Sequence, residues 1–342
     1  MARSPAHASP SLLGAAIAAL GVLAAVSVAL GPAGLGLAPV LREVGSHFPV
    51  LGVTSGLTDR EAAIIWELRM PRVALGGMVG AMLGAAGAAY QGVFRNPLAD
   101  PYLLGVAAGA GLGATGAIAY GPGGALVPVA AFTGGVMAVA LTYALGRTAG
   151  LARGPATLIL AGVAVAAFLT ALQTYLQQRR LDSIREVYSW ILGRLGTVGW
   201  GEVVLILPYV MATAVAILAS RRLLDVLAVG EEEAATLGVR PERLRLVLVG
   251  AATLGTAAAV SVSGLIGFVG LVVPHAIRLV LGPSYRVIVP LSMVLGAAFL
   301  ILADLIARTV VAPGELPIGV VTAFVGAPFF AMVLRTGTRG AG

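Results

Sequence analysis

The 342-residue sequence contains no cysteine and no lysine. Without cysteine there is no disulfide framework, no thiolate zinc site and no iron–sulfur cluster. Without lysine there is no P-loop side chain to reach nucleotide phosphates, and no amine for Schiff-base chemistry. The three histidines, His7, His47 and His275, are too far apart for a helical metal site, and an HExxH pattern is missing. No spacing suggests a Ser/His/Asp set or a catalytic carboxylate pair, so an intramembrane enzyme would have no nucleophile or base. Charge itself is scarce. Charged residues are 11% of the chain, against roughly a quarter in soluble domains.

Apolar residues are what the chain has in abundance. They make up 58%, with a mean hydropathy of +0.97, so the chain cannot cover a water-facing surface and reads as an all-α polytopic membrane protein. A spanning helix needs about 20 apolar residues. That length predicts spans at 12–31, 73–93, 101–120, 125–146, 155–177, 203–220, 246–263, 265–281, 287–307 and 316–334. "SVSG" at 261–264 supplies the break between the seventh and eighth. The run from Leu12 exceeds a signal-peptide core, which predicts an uncleaved first span.

An even number of spans puts both termini on one side, and arginine names the side. Arg3, Arg95, Arg147, Arg153, the arginines of 221–245, Arg278, Arg286, Arg335 and Arg339 fall on one set of connections, 13 of the 22. The other set (34–72, 178–202 and 308–315) mixes arginine with acids such as Glu43, Asp59 and Glu186. The positive-inside tendency makes the first set, and hence both termini, cytoplasmic.

Small residues crowd the spans, as in "GGMVGAMLGAAGAAY" (76–90) and "GVAAGAGLGATGAIAY" (105–120). Close helix packing in lipid and a simple compositional bias toward glycine and alanine both account for this. Spans two and seven are weakly similar and run in opposite directions, which allows an inverted repeat.

Ion-coupled carriers keep polar groups at membrane depth. The spans offer mainly Asp304, in "LADLIAR", and Arg308 follows one turn later. An i, i+4 ion pair is expected there rather than a proton relay. A secondary transporter acting without an ATPase, the alternative function, is therefore poorly equipped.

Two polar segments stand out. "RNPLADPYLLG" (95–105) reads as a turn stiffened by Pro97 and Pro101. "RRLLDVLAVGEEEAATLGVRPERLR" (221–245) carries acids in the first turn of a short helix, Gly238 as its stop, and Pro241 opening another. It is either a solvated loop touching anionic lipid or an element that docks a partner.

Several stretches together resemble the FecCD-type permeases of bacterial ABC importers, a BtuC-like, type II importer fold. They are "RMPR" (69–72), "RNPLADPYLLG", "GPATLILAG" (154–162), "WILGRL" (190–195), "GEEEAATLGV" (230–239), "GLIGFVGLVVPHAIRL" (264–279), "LADLIAR" (302–308) and "ELPIGVVTAFVGAPFF" (315–330). They run in the family's order over nearly the whole chain, which then forms a single transmembrane permease domain, 1–342.

The resemblance implies a multi-pass subunit of the bacterial plasma (inner) membrane that does no bond chemistry and binds no cofactor itself. Its partners are a second copy, two ATPase subunits that use the ATP, and a periplasmic or lipid-anchored binding protein. The cargo is a bulky metal chelate (ferric siderophore, haem or cobalamin), and no nucleic acid is implied. By the same resemblance Gly230, Glu231, Glu232, Glu233, Ala234, Leu237 and Gly238 contact the ATPase. Arg69, Arg72 and Arg308 pair with glutamates of the binding protein. Asn96 and Leu98, with Pro155 and Ala156, form a cytoplasmic gate; some relatives carry small hydroxyl residues at the latter pair, and this chain does not. Arg179 and Arg180, with Gln173, Tyr175 and Gln178, are candidates for cargo contact at the outer mouth, although interfacial anchoring is the simpler account of the two arginines.

Overall fold

The computed structural model describes residues 10–31, 34–47, 53–148, 155–196 and 199–337. Lipid leaves no water to satisfy backbone polar groups, so spanning segments must close their own hydrogen bonds. The described residues do so as helices. α1 (Pro10–Ala29) is followed by the short helices α2 (Leu37–Ser46) and α3 (Asp59–Ala63), and a π-helical turn, Ile64–Arg69, leads into α4 (Met70–Val93). Next come α5 (Val106–Tyr120), α6 (Leu126–Thr148), α7 (Pro155–Arg179) and the surface helix α8 (Ile184–Ile191). The remainder is α9 (Gly201–Val229), α10 (Glu231–Thr236), α11 (Pro241–Ser263), α12 (Val269–Leu281), α13 (Tyr285–Thr309) and α14 (Ile318–Gly337).

Seven of these are long and apolar enough to cross a bilayer, and α5, α12 and α14 add three shorter apolar helices among the described residues. Ten expected spans thus correspond to ten helices, with four altered boundaries. Expected spans 101–120 and 265–281 shorten to α5 and α12, because their first residues are not helical. Gly264 has φ +71°, and a Cβ there would overlap the Trp190 carbonyl oxygen. The 13 residues of α12 cover only about 20 Å of a hydrocarbon core about 30 Å thick. The span expected at 203–220 continues through "RRLLDVLAV" to Val229, and Pro241 opens the long α11 rather than a second short helix. Only 230–240 therefore separates two long helices, instead of the whole of 221–245. Arg3, Arg153 and Arg339, which helped to assign sides, lie outside the described residues.

α4 is the hub, packed by α9, α11, α12 and α13. The small residues make this possible. A Cβ at Gly80 or Gly84 would overlap the carbonyl oxygen of Gly296 or Ser292 on α13, and one at Gly87 would overlap Gly270 of α12. Gly109 and Gly113 of α5 meet Gly134 and Ala130 of α6 the same way. At these positions the glycines serve close packing, whatever the compositional bias.

Candidate functional site

Two clusters of polar residues sit at opposite ends of the bundle. At the end where α4 begins and α13 finishes, Arg72 is clamped between two acids. Its Nε donates to Asp304 Oδ1 at 3.0 Å, and its Nη1 and Nη2 donate to Glu315 Oε1 and Oε2, both at 2.9 Å. Asp304 also faces Arg308, 3.5 Å from its Nε, so the expected i, i+4 pair is present. It is part of a larger network that the local pattern did not reveal.

Arg69 and Arg308 are buried, 5% and 4% exposed. The Arg69 Nη1 donates to the carbonyls of Val28 and Ala29, each at 2.8 Å, and Arg308 Nη2 donates to the Ser27 carbonyl and, at 2.7 Å, to its hydroxyl. These are the last carbonyls of α1, which have no intrahelical partner and lie at the negative end of its dipole. The expectation that Arg69 and Arg308 face a binding protein is corrected accordingly. Their guanidinium groups turn inward and cap α1, and of the three arginines only Arg72 reaches the surface. Gly31 leaves the room that Arg69 occupies. The bidentate pairing with Arg72 holds the Glu315 carboxyl below its usual range, against the opposing effect of partial burial.

The cargo-contact candidates separate. Tyr175, Gln178, Arg179 and Arg180 are exposed, whereas Gln173 is 8% exposed and packs on Gly111 of α5. Two residues along a helix point to nearly opposite faces, so Gln173 cannot share a mouth with Tyr175. Arg180 lies over the Tyr120 ring, 5.1 Å from its centroid.

At the other end lie "RNPLADPYLLG" and α10. Asn96 Oδ1 accepts from Leu98 N at 2.9 Å and Asp100 Oδ1 from Tyr102 N at 2.8 Å, so two side-chain turns fix the loop. Burial pushes the Asp100 carboxyl up to about 6. The loop is laid along α12. The Tyr102 hydroxyl donates to the Ile266 carbonyl at 2.9 Å, Pro101 abuts Gly270, and the Pro97 carbonyl lies beside His275. His275 is buried against Phe329 and Phe330 of α14, with ring centroids 6.1 and 6.3 Å away. Its place in "VVPHAIRL" gives no hint of that contact. Leu98 is exposed, as is Ala156 in the first turn of α7, while the side chain of Pro155 lies outside the described residues. The loop and α7 touch through Gly162, where a Cβ would overlap the Leu103 carbonyl oxygen.

α10 is held firmly for so short a helix. Ala234 is fully buried, and Glu231 pairs with Arg245 of α11. Glu232, Glu233 and Gly238 are exposed, and Leu237 stands 70% exposed. Gly238 takes φ +81° where the helix ends. Close by, Asp225 near the end of α9 accepts from the Tyr285 amide and from Ser284 Oγ at 3.1 Å, which ties α9 to the start of α13.

Comparison with known proteins gives these two ends a context. The chain is 44% identical over 282 residues to the cobalamin import system permease protein BtuC of Halobacterium salinarum, covering 82% of this chain and 75% of that one. It is 38% identical to the hemin transport system permease protein HmuU of Yersinia pestis, covering 91% and 92% respectively. A solved metal-chelate-type ABC transporter in an inward-facing conformation superposes with a TM-score of 0.82 at 27% identity, over 96% of this chain and all of that one. Residues 19–336 match the FecCD transport family. The chain, an all-helical membrane protein along nearly its whole length, belongs to that family.

Proposed function

We infer that this chain is the permease subunit of an ABC importer for a bulky metal chelate, working as a homodimer with two ATPase subunits and a binding protein. The observation that carries the reading is α10. It presents Glu232, Glu233 and Leu237 outward while Ala234 and the Glu231–Arg245 pair fix it to two long helices. Motion of a docked partner would be passed directly to α9 and α11. A chain without lysine needs such a partner to draw on ATP. The α10 end is then cytoplasmic, in the plasma membrane, and the loop at Asn96 and Leu98 with the start of α7 forms the gate on that side. Relatives named for cobalamin and hemin transport support a metal-chelate cargo.

The test uses side chains that α10 does not need for its own anchoring. Leu237→Asp with Glu232→Arg is expected to weaken ATPase association about 30-fold, the size of an interface hot spot, with membrane insertion unchanged. Co-purification of the ATPase at wild-type levels would remove α10 from the coupling role.

At the Arg72 end, a binding-protein carboxylate competes with Glu315 for the same guanidinium. Glu315→Gln leaves Asp304 as the single acid on Arg72. It is expected to raise affinity for the binding protein several-fold at low salt, an effect that fades as ionic strength rises. A variant with unchanged affinity at every salt concentration would show that Arg72 is not a contact.

The rival reading, an ion-coupled carrier, needs a carboxylate free to titrate within a span. Among the described residues the fully buried acid in a span is Asp304, and two arginines already hold it.

A further inference from the structure

Between α6, α7 and α11, at the α10 end of the bundle, lies a cavity of about 740 Å³. Its inner wall is apolar, formed by Val136, Val139, Leu158, Val249 and Leu254. Arg147, Arg243 and Arg245 also line it, with Glu242 as the one acid among the lining residues. Arg245 is 6% exposed, and its Nε has no hydrogen-bond partner although its Nη2 pairs with Glu231. The Tyr143 hydroxyl, on a residue of the same wall, is buried and unpartnered as well, and Arg147 and Arg245 both act on it electrostatically. Unsatisfied buried donors are uncommon and costly, and two of them on residues that line one basic cavity favour an acceptor there.

We propose that this cavity is a binding site for an anionic phospholipid, with its phosphodiester at the arginines and an acyl chain along the apolar wall. Arginine forks match phosphate oxygens, and basic pockets between spanning helices hold anionic head groups. The apolar wall decides between lipid and a free phosphate. A small anion would leave Val136, Val139 and Leu254 facing an empty or wet space, whereas a chain fills it. The cavity also continues onto an exposed apolar side of the bundle. Leu246, on its rim, is 56% exposed, and the neighbouring α6 surface shows Met137 and Leu141 at 63% and 51%. Against the three arginines stand Glu242, in the same lining, and Glu231, paired with Arg245, which leaves one net positive charge for the phosphate. Because Arg245 is shared with Glu231, the bound head group would sit one side chain from α10. The site depends on the membrane-spanning reading; the cytoplasmic placement of α10 decides only which leaflet supplies the lipid.

Two variants probe the site by different means. Arg147→Gln with Arg243→Gln removes two charges worth about 1 kcal/mol each toward anionic lipid, a loss of about 30-fold in affinity. Gly250→Phe fills the cavity without touching an arginine, since a Cβ at Gly250, another lining residue, meets nothing within 4 Å. Native mass spectrometry of the detergent-purified chain, titrated with phosphatidylglycerol, phosphatidylethanolamine or inorganic phosphate, reads all of these. The wild type is expected to retain one phosphatidylglycerol, both variants to lose it, and all three proteins to melt alike. Equal retention of phosphatidylethanolamine, or wild-type lipid retention in both variants, would overturn the proposal. Displacement of lipid by millimolar phosphate would assign the site to a soluble anion instead. Should one variant fail to fold, the other still decides. Retention is measured without transport, so a chain that keeps the lipid but never imports a chelate counts against the permease reading alone.

Discussion

Asp304→Ala is expected to destabilise the protein by about 3–5 kcal/mol, the cost of leaving buried charge without its partner. Asp304 is 1% exposed and meets Arg72 at 2.8 Å and Arg308 at 3.5 Å. Its removal takes away the one acid within ion-pair distance of Arg308 among the described residues, and Arg308 in turn holds the end of α1. Loss of α1 packing should therefore accompany the fall in melting temperature, seen as faster proteolysis between α1 and α4. Glu315→Gln breaks a pair whose acid is 52% exposed and should cost about 1 kcal/mol or less. Thermal unfolding in detergent separates the two. A proton relay would behave differently, with normal stability and loss of gradient-driven transport. Equal, small losses for both variants would mean that Asp304 is not the keystone of the network.

Gly87→Leu should prevent α12 from seating on α4. The Cβ position overlaps backbone atoms of Gly270, which cannot swing aside as a side-chain tip would. Pro101 also packs on Gly270 of α12, and Tyr102 bonds to Ile266 just before that helix, so a shift of α12 disturbs the candidate gate loop. Overpacking usually costs about 1–3 kcal/mol and more where the neighbour cannot move, so this variant belongs at or above the top of that range. Gly87→Ala should already show most of the loss. Gly116→Ala, where nothing lies within 4 Å, is the control and should fall within about 0.5 kcal/mol of wild type. Similar melting temperatures for Gly87→Ala and Gly116→Ala would refute the packing argument.

Local signals in the sequence carried far. Apolar length located all ten apolar helices, and the acids and Gly238 around α10 marked its bounds, because capping and dipole effects act within one turn. Hydropathy misjudged helix ends for two physical reasons. "YLLG" at 102–105 and "GLIGF" at 264–268 are apolar yet not helical, with Gly105 and Gly264 at positive φ. "PERLR" at 241–245 is polar yet helical, because a helix does not stop where the lipid does. The arginines show the deeper limit. Arg308 meets Ser27 across 281 positions and Arg69 meets Val28 across 41, and nothing near either residue announces which carbonyl it will reach. Span-end arginines look alike in sequence whether they snorkel, dock or cap. His275 was equally silent, since its neighbours Phe329 and Phe330 belong to another helix.

The most direct test of the account is uptake of a metal chelate into liposomes holding the purified chain, with and without its ATPase and binding protein. The account predicts import only when both partners and ATP are present, and none from a proton or sodium gradient across liposomes containing the chain alone. Robust gradient-driven uptake by the chain alone would contradict it.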